Sequence, residues 1–219
     1  MINYLHKLLH HPERGWDPIP TEYAGRYSEA VYQQFTPQLL EYCAAHLGSY
    51  EGKRVLDLGG GPGQYSIALA ARGADVTWFD ISANYRRICE ARAAKAGVKV
   101  HFEMGYLEDA KRLLGAPFDF VLNRVCWQYS LGDASFAKLV YGLVKPGGYG
   151  YVETPTIEFR PVKGLRNLQR QLNARWRIKV GHPAPPPGRV AALMAELRPA
   201  WLEYDGRRIP ANDCVLFCR

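Results

Sequence analysis

At 219 residues, with 47% hydrophobic residues and a formal net charge of +7, the chain is long enough for one domain with a sizeable core and has no room for a second complete one. No apolar run approaches the roughly 20 residues of a membrane-spanning helix, and the start Met1-Ile-Asn-Tyr-Leu-His-Lys7 lacks the charged-then-apolar order of a signal peptide, so a cytoplasmic protein is expected. Cys43, Cys89, Cys126, Cys214 and Cys218 are odd in number and form no C-x-x-C pair, which points to buried thiols rather than disulfides or a metal site.

The elements follow in chain order. Residues 1–50 read as a helical N-terminal cap, with a helix over 28–47 preceded by Tyr23-Ala-Gly-Arg-Tyr27. Strand and helix patterns then alternate: strand 53–58, helix 63–72, strand 75–80, helix 82–96, strand 98–104, helix 106–114, strand 118–123, helix 133–143 and strand 148–154. A basic segment over 154–189 interrupts the alternation before a helix over 190–197 and two last strands near 201–204 and 213–217. Such alternation calls for an α/β fold, a doubly wound, mostly parallel seven-stranded sheet with helices on both faces.

The first strand breaks into a glycine run, Val55-Leu-Asp-Leu-Gly-Gly-Gly-Pro-Gly63, which leads into a helix. Glycines there allow positive φ and remove Cβ atoms, so a ligand can approach the backbone near helical N–H groups. The dinucleotide pattern G-x-G-x-x-G is excluded, because the sixth position falls on Gln64 counted from Gly59 and on Ser66 counted from Gly61. Asp80 ends the second strand 17 residues beyond Gly63, where doubly wound nucleotide sites place a carboxylate for ribose hydroxyls; capping the helix that follows is the other use of an Asp there.

The order Asp57-x-Gly59-x-Gly61-x-Gly63 resembles motif I of the class I S-adenosylmethionine-dependent methyltransferases. Phe118-Asp-Phe-Val-Leu-Asn123 and Leu143-Val-Lys-Pro-Gly-Gly148 fit the fourth strand and the turn before the fifth in that family. The resemblance covers residues 53–153 and implies an antiparallel last strand and S-adenosylmethionine as cofactor, with S-adenosylhomocysteine as product. It also implies that Asp57 helps hold the cofactor's ammonium. The candidate cofactor contacts are Tyr27, Asp57, Gly59, Gly60, Gly61, Gly63, Asp80, Ile81, Tyr106, Leu107 and Asn123. Tyr106 stands where many family members carry an acid that reaches the adenine amino group; a ring there offers stacking, and the backbone N–H of Leu107 offers a donor to a ring nitrogen.

The acceptor must be read from the chain ends. Residues 154–189 hold Arg160, Lys163, Arg166, Arg170, Arg175, Arg177, Lys179 and Arg189 against the single acid Glu158, which accounts for the whole formal charge of the protein. Two readings stand: attraction of an anionic acceptor, or the solvated face of a helix over 164–178 whose Leu165, Leu168 and Leu172 form a buried stripe. Gly181-His-Pro-Ala-Pro-Pro-Pro-Gly188 is not helical and forms an ordered loop, in which His182 is the candidate catalytic base. His10 and His11 lie in a segment able to fold over the site. Trp127 and Tyr129 are either walls of an acceptor pocket or core.

No Asn-Pro-Pro-Tyr or Asp-Pro-Pro-Tyr follows the fourth strand, which argues against methylation of base amino groups, and Cys126 lacks the Pro-Cys setting of a nucleophile. The expectation is O-methylation of a small or glycan-like acceptor bearing negative charge. RNA methylation, favoured by the basic segment with Trp176, and a non-catalytic cofactor-binding regulator are the alternatives.

Overall fold

The computed structural model describes residues 2–157, 163–204 and 211–219. In chain order, α1 (Ile2–Leu9), α2 (Thr21–Gln33) and α3 (Gln38–Leu47) precede β1 (Arg54–Leu58), α4 (Gln64–Ala70), β2 (Asp75–Asp80), α5 (Ala83–Ala96) and β3 (His101–Met104). Next come α6 (Ala110–Leu114), β4 (Phe118–Arg124), α7 (Asp133–Leu143), β5 (Val144–Pro155), α8 (Leu165–Trp176), α9 (Arg189–Glu196), β6 (Trp201–Tyr204) and β7 (Asn212–Cys218). Short 3-10 turns lie at Pro12–Arg14, Leu107–Asp109 and Trp127–Tyr129.

The strands form one sheet in the order β3-β2-β1-β4-β5-β7-β6. β1 to β5 run parallel, and β7 is antiparallel to both β5 and β6. This is the expected seven-stranded, doubly wound sheet. Its strand order reverses between β1 and β4, and the crevice beyond the carboxyl ends of those two strands is where an open sheet of this kind binds ligands.

Side-chain alternation decides which face each residue serves. Val55, Val76, Trp78, Phe120 and Leu122 join a core with Leu40, Cys43, Leu69 and Cys89 from α3, α4 and α5. Leu56, Leu58, Phe79, Val121 and Val152 join the opposite core with Phe136, Val140, Leu193 and Met194 from α7 and α9. The same period of two carries Asp57, Asp80 and Arg124 onto the α4 face and Asn123 onto the α7 face.

Several elements depart from the sequence expectation. The helix expected over 28–47 is two helices, because Pro37 offers no N–H to a continuing helix and pushes the preceding residue toward extended geometry. The helix expected over 106–114 begins as a 3-10 turn, and the third strand starts at His101 rather than at residue 98. The leucine stripe of α8 is not buried: Leu165 and Leu168 are 70% and 53% exposed. α8 turns its polar side inward instead, burying Asn173, while Arg170 Nη1 donates to the Ile157 carbonyl at 2.9 Å.

That inversion follows from a buried polar cluster. Lys179 Nζ lies 2.9 Å from Asp133 Oδ1, with both side chains almost fully enclosed, and donates to Ser130 Oγ and the Trp127 carbonyl at 2.9 and 3.1 Å. Asp133 also accepts from Trp127 Nε1 at 3.0 Å and from Asn173 Nδ2 at 3.4 Å. Burial pulls the Lys179 ammonium below its ordinary value, and the Asp133 carboxylate opposes that pull. The cluster fastens the basic segment to the start of α7. Asp133→Ala, which strands a buried ammonium, should cost about 3–5 kcal/mol in urea unfolding, whereas the paired change Lys179→Met with Asp133→Leu should cost much less. Equal losses in the two variants would show that the ion pair does not hold the segment.

Candidate functional site

The turn after β1 is shaped largely by the protein's own side chains. A Cβ at Gly59 would lie 2.4 Å from Cys126 Sγ, at Gly60 2.4 Å from Trp78 Cδ1, and at Gly63 1.9 Å from Cys89 Sγ. These three glycines make room for Cys126, Trp78 and Cys89 rather than for a guest, contrary to the sequence reading of the whole run as ligand clearance. Gly61 is different: φ is 51°, and a Cβ there would meet nothing within 4 Å. Trp78 Nε1 donates to the Gly61 carbonyl at 2.9 Å from beneath the turn.

Two carboxylates and one amide gather around this turn. Asp80 Oδ2 accepts from the Gly61 N–H at 2.9 Å and Oδ1 from the Ser82 N–H at 3.0 Å, and Ser82 rather than Asp80 caps α5. Each Asp80 oxygen retains a lone pair for a further donor. Burial raises the Asp80 carboxyl above its ordinary range against these backbone bonds. Asp57 is buried on the α4 face and accepts from Ser66 Oγ at 2.6 Å. Its desolvation pushes the carboxyl up to about 6, despite the bonds from Ser66. Asn123 Nδ2 donates to the Leu58 carbonyl at 2.9 Å and contacts Cys126 Sγ at 2.7 Å, while its Oδ1 is buried without a partner among the described residues. An orphaned acceptor between the ends of β1 and β4 is what a donor-bearing ligand would satisfy. Gln64 Oε1, at the start of α4, is another buried acceptor without a partner among the described residues.

The N-terminal segment closes one side. Asp17 Oδ2 accepts from Ser82 Oγ at 3.1 Å and the Asn84 N–H at 2.8 Å, pinning residues 17–19 beside Asp80. The sequence reading missed Asp17 and Asn84; Ser82-x-Asn84 after Asp80 carries a capping signal, but its partner 65 residues upstream has none. Tyr106 donates to the His10 carbonyl at 2.8 Å, and its ring lies parallel to Trp16 with centroids 6.4 Å apart and the Lys7 ammonium 5.3 Å from its own centroid. Leu107 Cδ2 lies 4.0 Å from the Cβ position of Gly59, and Ile81 sits between Asp80 and Ser82 at the start of the α5 turn. Tyr27 stacks on Tyr23 and is tilted against Tyr85; burial raises its hydroxyl, which also feels the charges of Arg124 and Asp80.

Beyond β4 the chain turns sharply. Val125 has φ 58°, a left-handed conformation that a β-branched side chain adopts at a cost of about 1–3 kcal/mol, and its N–H donates to the Glu153 carbonyl at 2.7 Å. The structure separates the two aromatic candidates that follow: Trp127 is core, and Tyr129 is 55% exposed. His182 is exposed and meets Tyr129 edge-on, with ring centroids 5.2 Å apart. Burial raises the Cys126 thiol, which donates to the Leu58 carbonyl at 3.3 Å, so it stays protonated. Of the basic segment, Lys179 and Arg189 are tied to Asp133 and Arg170 to the backbone, while Arg166, Arg175 and Arg177 are exposed. Glu158 and Arg160 lie outside the described residues.

Residues 55–148 match a protein family described as a methyltransferase domain. A ubiquinone biosynthesis O-methyltransferase from Bordetella avium is 30% identical over 141 residues, which are 64% of this chain and 56% of that protein. The chain thus matches little more than half the length of this curated relative. Among solved structures, an O-methyltransferase family protein from Burkholderia thailandensis superposes with a TM-score of 0.65 at 22% identity, covering 91% of this chain and 60% of the other. A [4+2]-cyclase, SpnF, superposes at 0.57 with 17% identity, covering 85% and 80%. Likenesses at this identity are likenesses of fold, and the second shows that the fold also carries other chemistry.

The Asp57 carboxyl binds its proton more tightly folded than unfolded. Its stabilising contribution is full below its ordinary value of 3.8 and is lost as pH rises through about 6, a span of about 3 kcal/mol. Asp57→Asn should therefore gain on the parent protein in urea-unfolding stability as pH rises from 4 to 7. A difference that stays constant over this range would contradict the raised carboxyl.

Proposed function

Because this chain belongs, through the domain over residues 55–148, to the class I S-adenosylmethionine-dependent methyltransferases, we propose that it methylates an oxygen of a small, negatively charged acceptor and releases S-adenosylhomocysteine. The observation that carries the reading is the Asp80 carboxylate bound under Gly61 at the β1–β4 switch point, beside the unpartnered Asn123 Oδ1. The residues present fit the cofactor: a carboxylate for its ammonium in Asp57, an acceptor pair for its ribose hydroxyls in Asp80, open space over Gly61, and a buried acceptor at Asn123. When bound, S-adenosylmethionine supplies an electrophilic methyl group.

The chain's own part is to bind, orient and keep water out. Gly59, Gly60 and Gly63 hold the turn in one shape, and Ile81, Tyr106 and Leu107 flank the adenine side. Tyr27 faces the methionine end. The Asp17–Ser82 contact keeps the N-terminal segment over the crevice. At the opposite rim Tyr129 and His182 form the acceptor's wall, and a ring nitrogen of His182 takes the acceptor's hydroxyl proton as the oxygen gains the methyl group. The exposed guanidiniums of Arg166, Arg175 and Arg177 supply the attraction for a negative acceptor, to a smaller extent than the charge of the whole segment suggests. Oxygen as the acceptor atom is supported by the likeness to the Bordetella relative, a ubiquinone biosynthesis O-methyltransferase.

Calorimetric titration with S-adenosylmethionine and S-adenosylhomocysteine, with NAD as control, tests the premise: the first two bind and NAD does not. Asp80→Asn, which removes one anionic acceptor, should weaken cofactor binding by about 10-fold to 100-fold. His182→Ala should lower turnover by about 100-fold or more with cofactor affinity within twofold. Full turnover in that variant would remove His182 from the mechanism.

A further inference from the structure

A second concavity opens on the α4 face, beside the glycine turn. It has a volume of about 410 Å³ and is lined by Gln34, Thr36, Gln38, Tyr65, Arg124 and Glu153, with Leu39 at its edge. Arg124 is the last residue of β4 and sits level with Glu153 of β5. Its Nε donates to Glu153 Oε2 at 3.0 Å, and its guanidinium lies 5.1 Å from the Tyr65 ring centroid. Glu153 is enclosed and engages Nε alone, so both Nη groups of Arg124 have no hydrogen-bond partner among the described residues. Leu122, two residues before Arg124 on the same face of β4, is in register with Asp57 of β1, so Arg124 lies one step beyond the expected ammonium site toward the carboxyl ends of the strands.

We propose that this cavity is a carboxylate-binding site, with the two Nη groups of Arg124 as its charged donors and Gln34, Thr36 and Gln38 as its neutral wall. A guanidinium presents a planar pair of N–H donors that match the two oxygens of a carboxylate. The pairing with Glu153 fixes the plane of that fork and keeps the cavity from carrying net positive charge, so a carboxylate is selected by geometry rather than by charge alone. Asp57 and Arg124 on one face also offer an anion and a cation to the two ends of an α-amino acid. The carboxylate has two sources, the methionine part of the cofactor, an assignment that rests on the function proposed above, or the acceptor itself.

Calorimetry distinguishes them. The ligands are S-adenosylhomocysteine, 5′-methylthioadenosine, which lacks the amino-acid group, and benzoate, added to the free protein and to protein saturated with S-adenosylhomocysteine. The proteins are the parent, Arg124→Gln with Glu153→Gln, which leaves no buried charge unpaired, and Gln34→Leu, which keeps the ion pair if the double variant fails to fold. If the cofactor supplies the carboxylate, the double variant should lose at least 10-fold in affinity for S-adenosylhomocysteine and stay within twofold for 5′-methylthioadenosine, with Gln34→Leu moving the same way by a smaller factor. If the acceptor supplies it, the preference between the two nucleosides is unchanged, and benzoate binds the saturated parent protein but not the variants. Unchanged nucleoside preference together with no benzoate binding overturns the site. Failure of S-adenosylhomocysteine to bind the parent protein would sink the methyltransferase reading instead, and benzoate binding to the free protein would then decide the cavity by itself.

Discussion

The Asp80 carboxylate ties together the parts of this protein that must stay in register. One oxygen holds the Gly61 N–H of the turn after β1, and the other holds the Ser82 N–H that opens α5. Ser82 in turn binds Asp17 of the N-terminal segment. A single side chain at the end of β2 thus sets the distance between two βα turns and the strap that crosses them. The Gly59 and Gly60 N–H groups add bonds to the Phe79 carbonyl, one residue before Asp80. Had Asp80 faced the other core, none of these contacts would form; the alternation of β2, with Val76 and Trp78 on the same face, is what directs it.

The sheet was legible because its signals are local. Short apolar runs broken by glycine and proline mark β1, β2, β4 and β5, and the acid and glycine spacing at 57–63 and 80 marks the carboxyl edge of the sheet. What local signals do not reveal is which neighbour a residue will meet. Leu165, Leu168 and Leu172 have helical spacing, but the side of α8 that faces inward is chosen by Asn173, Arg170 and the Lys179–Asp133 pair, residues whose polarity reads as surface. The four glycines over 59–63 read as clearance for a ligand, yet the atoms that crowd three of them belong to Cys126, Trp78 and Cys89, which are 18 to 67 residues away in sequence. Arg124 went unnoticed because nothing around it in sequence predicts a cavity on the α4 face.

The charge of the chain illustrates the same gap between composition and placement. The basic segment accounts for the formal excess, but part of it is spent on internal order: Lys179 and Arg189 on Asp133, Arg170 on a carbonyl. A count of lysines and arginines therefore overstates the charge left free at the surface, while Arg124, outside the segment, lies on the Asp57 face of the sheet and pairs with Glu153. Burial acts in the same direction on Asp57 and Asp80, holding both carboxyls above their ordinary range.

Trp78 gives the site one more property. It is fully enclosed, and its indole N–H is fixed on the Gly61 carbonyl, directly under the part of the turn that is open on its other side. An indole held in this way emits according to the strength of that one bond and the polarity next to it. Any change at the turn therefore alters the surroundings of Trp78, one of the five tryptophans of the chain, so ultraviolet emission offers a view of the turn with no added label.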